Sequence, residues 1–203
     1  MSDLSENLFQ SMSAMLKNGI DPQDHEGALW ARYGETVAVL TLDSTGFTRV
    51  SQSHGIVHFL SRIMQLRDIC IPLLEQHNCK RNHFAADNIF AAFEQADDAI
   101  KAANALHRGI HESRLQLTQS ERYRISIGIG YGRLLYSETL EGYFGEEMNF
   151  ACKLGEDVGK GDETLITIAA FEQADPKLLT GFEAAETSIS GVRLPFHRRR
   201  FLP

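Results

Sequence analysis

The chain has 203 residues, 43% of them hydrophobic and 23% charged, with a net charge of −7. That length suits one globular domain and is short for two, and the composition is too apolar for a disordered tail. The negative field argues against nucleic acid or an anionic membrane as partner, and the scattered Cys70, Cys79 and Cys152 offer neither CxxC spacing nor an even count for a disulfide framework.

The first nineteen residues lack a basic segment followed by an apolar core, and no apolar run approaches the roughly 20 residues that cross a bilayer. A soluble, cytoplasmic protein is expected. Residues 4–17 carry Leu4, Leu8, Met12, Met15 and Leu16 near helical spacing, and Asn18-Gly19 closes that helix. Residues 21–26 read as a polar connector, so 1–35 is set apart from a body spanning 36–203. VAVLTLD (37–43) is a nearly continuous β-branched and aliphatic run, the mark of a strand buried on both faces. After Thr45-Gly46-Phe47-Thr48 the spacing predicts a helix over 55–77, with Pro72 kinking its end.

A strand pair is expected at 80–84 and 89–93, with Ala85-Ala86-Asp87-Asn88 at the bend. Residues 95–108 form an alanine-lined helix, and 123–130 alternates at period two as a strand. A helix over 147–158, a strand over 164–167 and a closing hairpin over 187–201 around Gly191 complete an α+β or α/β sandwich of sheet and helices.

Asp43 ends a buried strand beside a loop that opens a helix. A carboxylate there suits a divalent cation, and the loop's N–H groups suit phosphate, although an Asp at such a place taken alone is more often a turn former or helix cap. Asp87 alone is ordinary hairpin chemistry. If the two strands are sheet neighbours, however, both carboxylates meet at one edge, the arrangement for two metal ions spanning a triphosphate.

Four segments resemble, in order, the class III nucleotidyl cyclase domain. They are VAVLTLDSTGFT (37–48), Asp87-x-x-Phe-x-x-Phe93, Gly128-Ile-Gly-Tyr-Gly132 and Tyr143-Phe-Gly-Glu-Glu-Met-Asn-Phe-Ala151. The likeness spans about residues 36–200. It implies a ferredoxin-like βαββαβ core with added strands, working as a head-to-tail homodimer with composite sites. It also implies two divalent ions per site, Mg²⁺ or Mn²⁺, held by Asp43, Asp87 and the Ser44 carbonyl. Thr45, Gly46, Phe47 and Thr48 would cradle phosphates, and Arg133 would contact the triphosphate. From the opposite subunit Asn149 would orient the ribose, and Lys153, where the family usually has arginine, would neutralise phosphate charge without arginine's planar fork.

The base-reading positions depart from the family. His83 stands where adenylyl cyclases usually have lysine and guanylyl cyclases glutamate, and Gly142 offers no side chain at the partner position, with Glu141 beside it as a substitute. His83 can read a pyrimidine edge, which is similar to stand-alone bacterial cyclases making cyclic UMP or CMP in phage defence. It is equally well a strand residue at the pocket rim. The reading is therefore a metal-dependent cyclase converting a nucleoside triphosphate to a 3′,5′-cyclic nucleotide and pyrophosphate, with UTP or CTP favoured and a cyclic-nucleotide-binding effector downstream. An adenylate or guanylate cyclase, and a non-catalytic nucleotide- or partner-binding module, stand as alternatives.

His54 and His58 lack a carboxylate partner for a metal site. Gly128-x-Gly130-x-Gly132 lacks the following helix of a dinucleotide loop. Arg198-Arg199-Arg200 reads as a solvated terminal strand edge.

Overall fold

Val37 to Leu42 are all buried, as a strand covered on both faces requires. In the computed structural model, which describes residues 7–138, 142–189 and 191–201, they belong to β1 (Gly34–Ser44). Ahead of it lie α1 (Leu8–Lys17), capped by Asn7, and α2 (Glu26–Tyr33). The expected connector therefore gives way after residue 25 to a helix, which the sequence hides because Leu29 is its one buried residue.

After β1 come α3 (Phe47–His54) and α4 (Ile56–Gln76), separated by Gly55 at φ +84°, which only glycine adopts readily. α4 runs through Pro72 for one more turn. β2 (Arg81–Ala85) and β3 (Asn88–Phe93) form the expected hairpin, and α5 (Ala96–Ser113) buries Ala99, Ala102, Ala103 and Leu106. β4 (Ile125–Ser137), β5 (Gly142–Phe144), α6 (Glu146–Lys153), a π turn over Leu154–Val158, β6 (Glu163–Thr167), α7 (Ile168–Gln173), β7 (Glu183–Ile189) and β8 (Val192–Arg200) complete the chain.

The sheet order is β2-β3-β1-β4-β6-β8-β7, with β5 paired to β4. Its first four strands are each antiparallel to their neighbours and, with α4 and α5, make the expected βαββαβ core; β6 adds parallel to β4, and the β7–β8 hairpin follows. On one face Ala38, Leu40, Leu42, Ile127 and Ile129 pack with α4 and α5 around Phe59, Leu66 and Leu106. On the other, Val37 and Val39 pack with Leu134 and Ala151 of α6. Among the described residues no helix is long and apolar enough to cross a membrane.

One expectation needs correction in part. β8 lies between β6 and β7, so Arg198 is paired on both sides and is not at a sheet edge, while Arg199 and Arg200 pair with β6 alone. Arg199 turns inward, donating to the carbonyls of Leu178 (3.1 Å) and Thr180 (3.3 Å) and to Asn104 Oδ1, and lies 4.3 Å over the Phe182 ring. The glycines of 128–132, meanwhile, form a seat for α6. A Cβ on Gly128 would stand 2.0 Å from the Ala151 carbonyl oxygen, and one on Gly130 2.4 Å from that of Glu147. The seat is fastened by Thr41 Oγ1 donating to Ala151 O (2.8 Å) and by Glu147 Oε2, which accepts from Tyr131 N (3.0 Å) and Thr167 Oγ1 (2.6 Å).

Candidate active site

β1 and β3 are neighbours in register, with Leu42 opposite Ile89, so Asp43 and the β2–β3 turn meet at one end of the sheet. The turn is tight: Ala86 takes a left-handed φ of +52°, and Asp87 follows it, half-buried. Both its carbonyls are held. Arg67 of α4 donates from Nη2 to Ala86 O (2.9 Å), and Ser44 Oγ donates to Asp87 O (3.4 Å) while bonding the Tyr123 hydroxyl at 2.6 Å. Arg67 and Tyr123 are thus positioning residues for the Asp87 peptide. Sequence reasoning missed both, because a hydrogen bond across 19 or 79 positions leaves no local trace.

Asp43 is pushed up to about 7, first by burial and then by the charges of Asp87 and Glu156. Asp87 is raised by burial as well, and so is Glu156, with Asp157 adding to it. Asp43 is flanked across the β4 ladder by Ser126. Ser126 Oγ, and Asn88 Oδ1 next to Asp87, are both buried without a hydrogen-bond partner; Asn88 spends its Nδ2 on Glu156 (3.3 Å). Crowded carboxylates beside two orphaned oxygens fit a cation and its water shell. Among the described residues no group of three or more His, Cys, Asp or Glu converges on one point. Two carboxylates are what Mg²⁺ needs when substrate phosphates supply the rest of its shell.

This electrostatic strain has a measurable sign. Asp43 binds its proton more tightly folded than unfolded, where the ordinary value is 3.8. The stability it contributes is therefore full below about pH 4 and falls as pH rises towards 7, by ~1–2 kcal/mol once solvent screening is allowed for. Metal-free protein should lose thermal midpoint across that window, Asp43→Asn should flatten the loss, and Mn²⁺ should restore the midpoint at pH 8. Equal slopes in wild type and variant would remove Asp43 as the cause.

The loop after β1 becomes the start of α3, whose first-turn N–H groups have no intrahelical acceptor and no side-chain cap. Gly46 at φ +97° makes the turn, and Phe47 anchors it edge-on against buried Phe59 with ring centroids 4.7 Å apart. One expected phosphate donor is already used: Thr45 N donates to Arg124 O (3.1 Å), as does Thr45 Oγ1 (3.2 Å). Gly46, Phe47 and Thr48 keep their N–H groups for a ligand.

His83 pairs with Phe90, its ring near-parallel at 6.2 Å, and Phe90 pairs with Thr41. The pairing puts His83 on the face that carries Asp43 and α6. Arg133 is elsewhere: it pairs with Thr36, seven positions along the ladder from Asp43, or roughly 23 Å at ~3.3 Å per residue. There it donates to Trp30 O (2.8 Å) and lies 5.5 Å over the Trp30 ring. Two cations do flank the loop: Arg49, paired to Glu121 at 2.6 Å, and Arg124, paired to Asp162 at 3.6 Å.

Asn149 and Lys153 open from α6 into a cavity of about 680 Å³ walled by Phe150, Val192 and Leu194; neither Asp43 nor Asp87 lines it. Lys153 Nζ is paired to Asp157 at 2.8 Å. Gly142 sits in β5 opposite Ser137, and Glu141 lies outside the described residues.

The fold is that of the class III adenylate and guanylate cyclase catalytic domain. The guanylyl cyclase Cya2 superposes with a TM-score of 0.67 at 18% identity, covering 84% of this chain and 95% of its own. An adenylate/guanylate cyclase/hydrolase from Silicibacter pomeroyi gives 0.70 at 17% identity over 84% and 98%. The guanylate cyclase domain of RhGC from Catenaria anguillulae, in complex with GTP, gives 0.64 at 15% identity over 82% and 98%. No protein-family model and no curated protein matches the chain in sequence.

Proposed function

We propose that this chain is a metal-dependent nucleotidyl cyclase, acting on a pyrimidine nucleoside triphosphate as a homodimer. The observation that carries the reading is the meeting of Asp43 and Asp87 at one sheet end, beside the orphaned Ser126 and Asn88 oxygens and the open N-terminus of α3. Asp43, Asp87 and the Ser44 carbonyl would hold divalent ions, which would neutralise triphosphate charge and acidify the ribose 3′-hydroxyl. The N–H groups of Gly46, Phe47 and Thr48 bind phosphate oxygens. Asn149 orients the ribose, and Lys153, released from Asp157, balances charge on the phosphoryl oxygens. The 3′-oxygen bonds to the α-phosphorus, the α–β bridging bond breaks, pyrophosphate leaves, and the hydroxyl proton passes to water.

The dimer is supported by the separation of the two halves: in one chain Asn149 and Lys153 open into a cavity that the aspartates do not line. Phe144 and Val192, at 44% and 57% exposure, offer apolar surface beside α6. The pyrimidine preference rests on His83 and on the missing side chain at Gly142, and an antiphage role with a cyclic-nucleotide-binding effector follows from that preference.

The test supplies Mn²⁺ with ATP, GTP, CTP or UTP separately and identifies products by mass spectrometry. Cyclic UMP or CMP is the expected product. Cyclic AMP or GMP would replace the pyrimidine assignment with a purine cyclase, and no cyclic product from any of the four would leave a nucleotide- or partner-binding module.

A further inference from the structure

Between the last turn of α5 and the entry to β4 lies a second concavity, of about 180 Å³. Arg114, Arg122, Arg124 and His111 line it, with Asp162 as the one carboxylate and Tyr123 in its wall. Three arginines line it although the chain as a whole carries −7. Asp162 is engaged with Arg124, and Arg122 donates to His111 Nε2 (3.1 Å). Arg114 caps α5 in a left-handed conformation, φ +55°, where glycine or asparagine would be the low-strain residue. Behind them His107, 4% exposed, is held near a pKa of about 4 by burial and the Arg199 charge, so it adds no charge of its own.

We propose that this concavity binds a small tetrahedral oxyanion of the phosphate class, and that its occupancy tightens the loop after β1. Guanidinium forks suit phosphate oxygens, which they bind in pairs. The volume is below the ~300–1,000 Å³ of pockets that take drug-sized ligands, so a nucleotide is excluded and an inorganic or singly substituted phosphate fits. The coupling is built from two adjacent residues of the wall. Arg124 carries the carbonyl that holds both Thr45 donors, and Tyr123 carries the hydroxyl that holds Ser44 and, through it, the Asp87 peptide. An anion that fixes Arg124 therefore steadies the phosphate loop from behind. Binding itself does not depend on the cyclase reading; only the consequence for turnover does.

The experiment titrates inorganic phosphate, against chloride at matched ionic strength, into wild type, Asp87→Asn and an Arg114→Ala/Arg122→Ala double variant. Affinity is read by calorimetry and loop opening by amide hydrogen exchange over residues 45–48. Wild type and Asp87→Asn should bind alike, and the double variant roughly tenfold or more weaker, the worth of a lost charge-assisted contact. Loop exchange should slow with phosphate in the first two proteins only. Equal affinity in the double variant would place the anion elsewhere and overturn the site, as would no binding by wild type in the millimolar range. Binding without slowed exchange would overturn the coupling. Because Asp87→Asn carries the same readout, failure of the cyclase assignment would show separately in the nucleotide assay.

Discussion

Asp87→Asn should lower metal-dependent cyclisation by at least ~10³-fold, since a metal-bridged phosphoryl transfer draws several kcal/mol from the ion and each 1.36 kcal/mol is a decade. The fold should not suffer. Asp87 is half-buried with its carboxyl already raised, so a neutral amide relieves repulsion on Asp43, and the thermal midpoint should hold or rise at pH 8. That pairing of lost turnover with kept stability separates a ligand from a structural residue. Tyr123→Phe and Arg67→Ala act one step back, on the carbonyls either side of Asp87, and should weaken Mn²⁺ affinity by about 10-fold. Activity retained in Asp87→Asn would end the metal-pair assignment.

Gly128→Ala should destabilise the fold by about 3 kcal/mol or more, at the upper end of overpacking costs. The added methyl would stand 2.0 Å from Ala151 O and 2.7 Å from Gly155 N, both main-chain atoms that cannot rotate aside. Gly132→Ala is the milder comparison in the same strand: its methyl meets only side-chain atoms, Glu147 Cγ at 3.0 Å, which must shift by a few tenths of an ångström against the hydrogen bonds from Tyr131 N and Thr167 Oγ1, so a loss of about 1 kcal/mol is expected. Urea midpoints of the two variants measure the difference. Equal small losses would mean that α6 does not rest main chain on main chain against β4.

What was legible in the sequence follows from periodicity. β1 buries a continuous β-branched and aliphatic run, β3 most of its residues and α5 a stripe repeating at three to four, so each is visible in its residue types. α2 and α3 bury only Leu29 and Val50, and without a stripe each passed for connector or loop. The glycines at 128, 130 and 132 were visible, but their use as a helix seat depends on what lies across the strand. At the site, Asp43 and Asp87 were readable because each ends a strand, and neighbouring strands bring their ends together. Ser126 became part of the site only through register, 83 positions from Asp43 in sequence, and the same register carries Arg133 away from it.

Main-chain contact between α6 and the sheet has a mechanical consequence. Side-chain layers between helix and sheet normally absorb small shifts by rotamer changes, but here Thr41 Oγ1 grips Ala151 O directly, and the Gly128 and Gly130 backbones touch the helix with nothing in between. Strand and helix therefore translate together, and Asn149 and Lys153 keep a fixed offset from Asp43 within each chain, like marks on one ruler. In the proposed dimer, any adjustment of distance between carboxylates and the groups facing them must then come from sliding one such ruler along another, not from bending either.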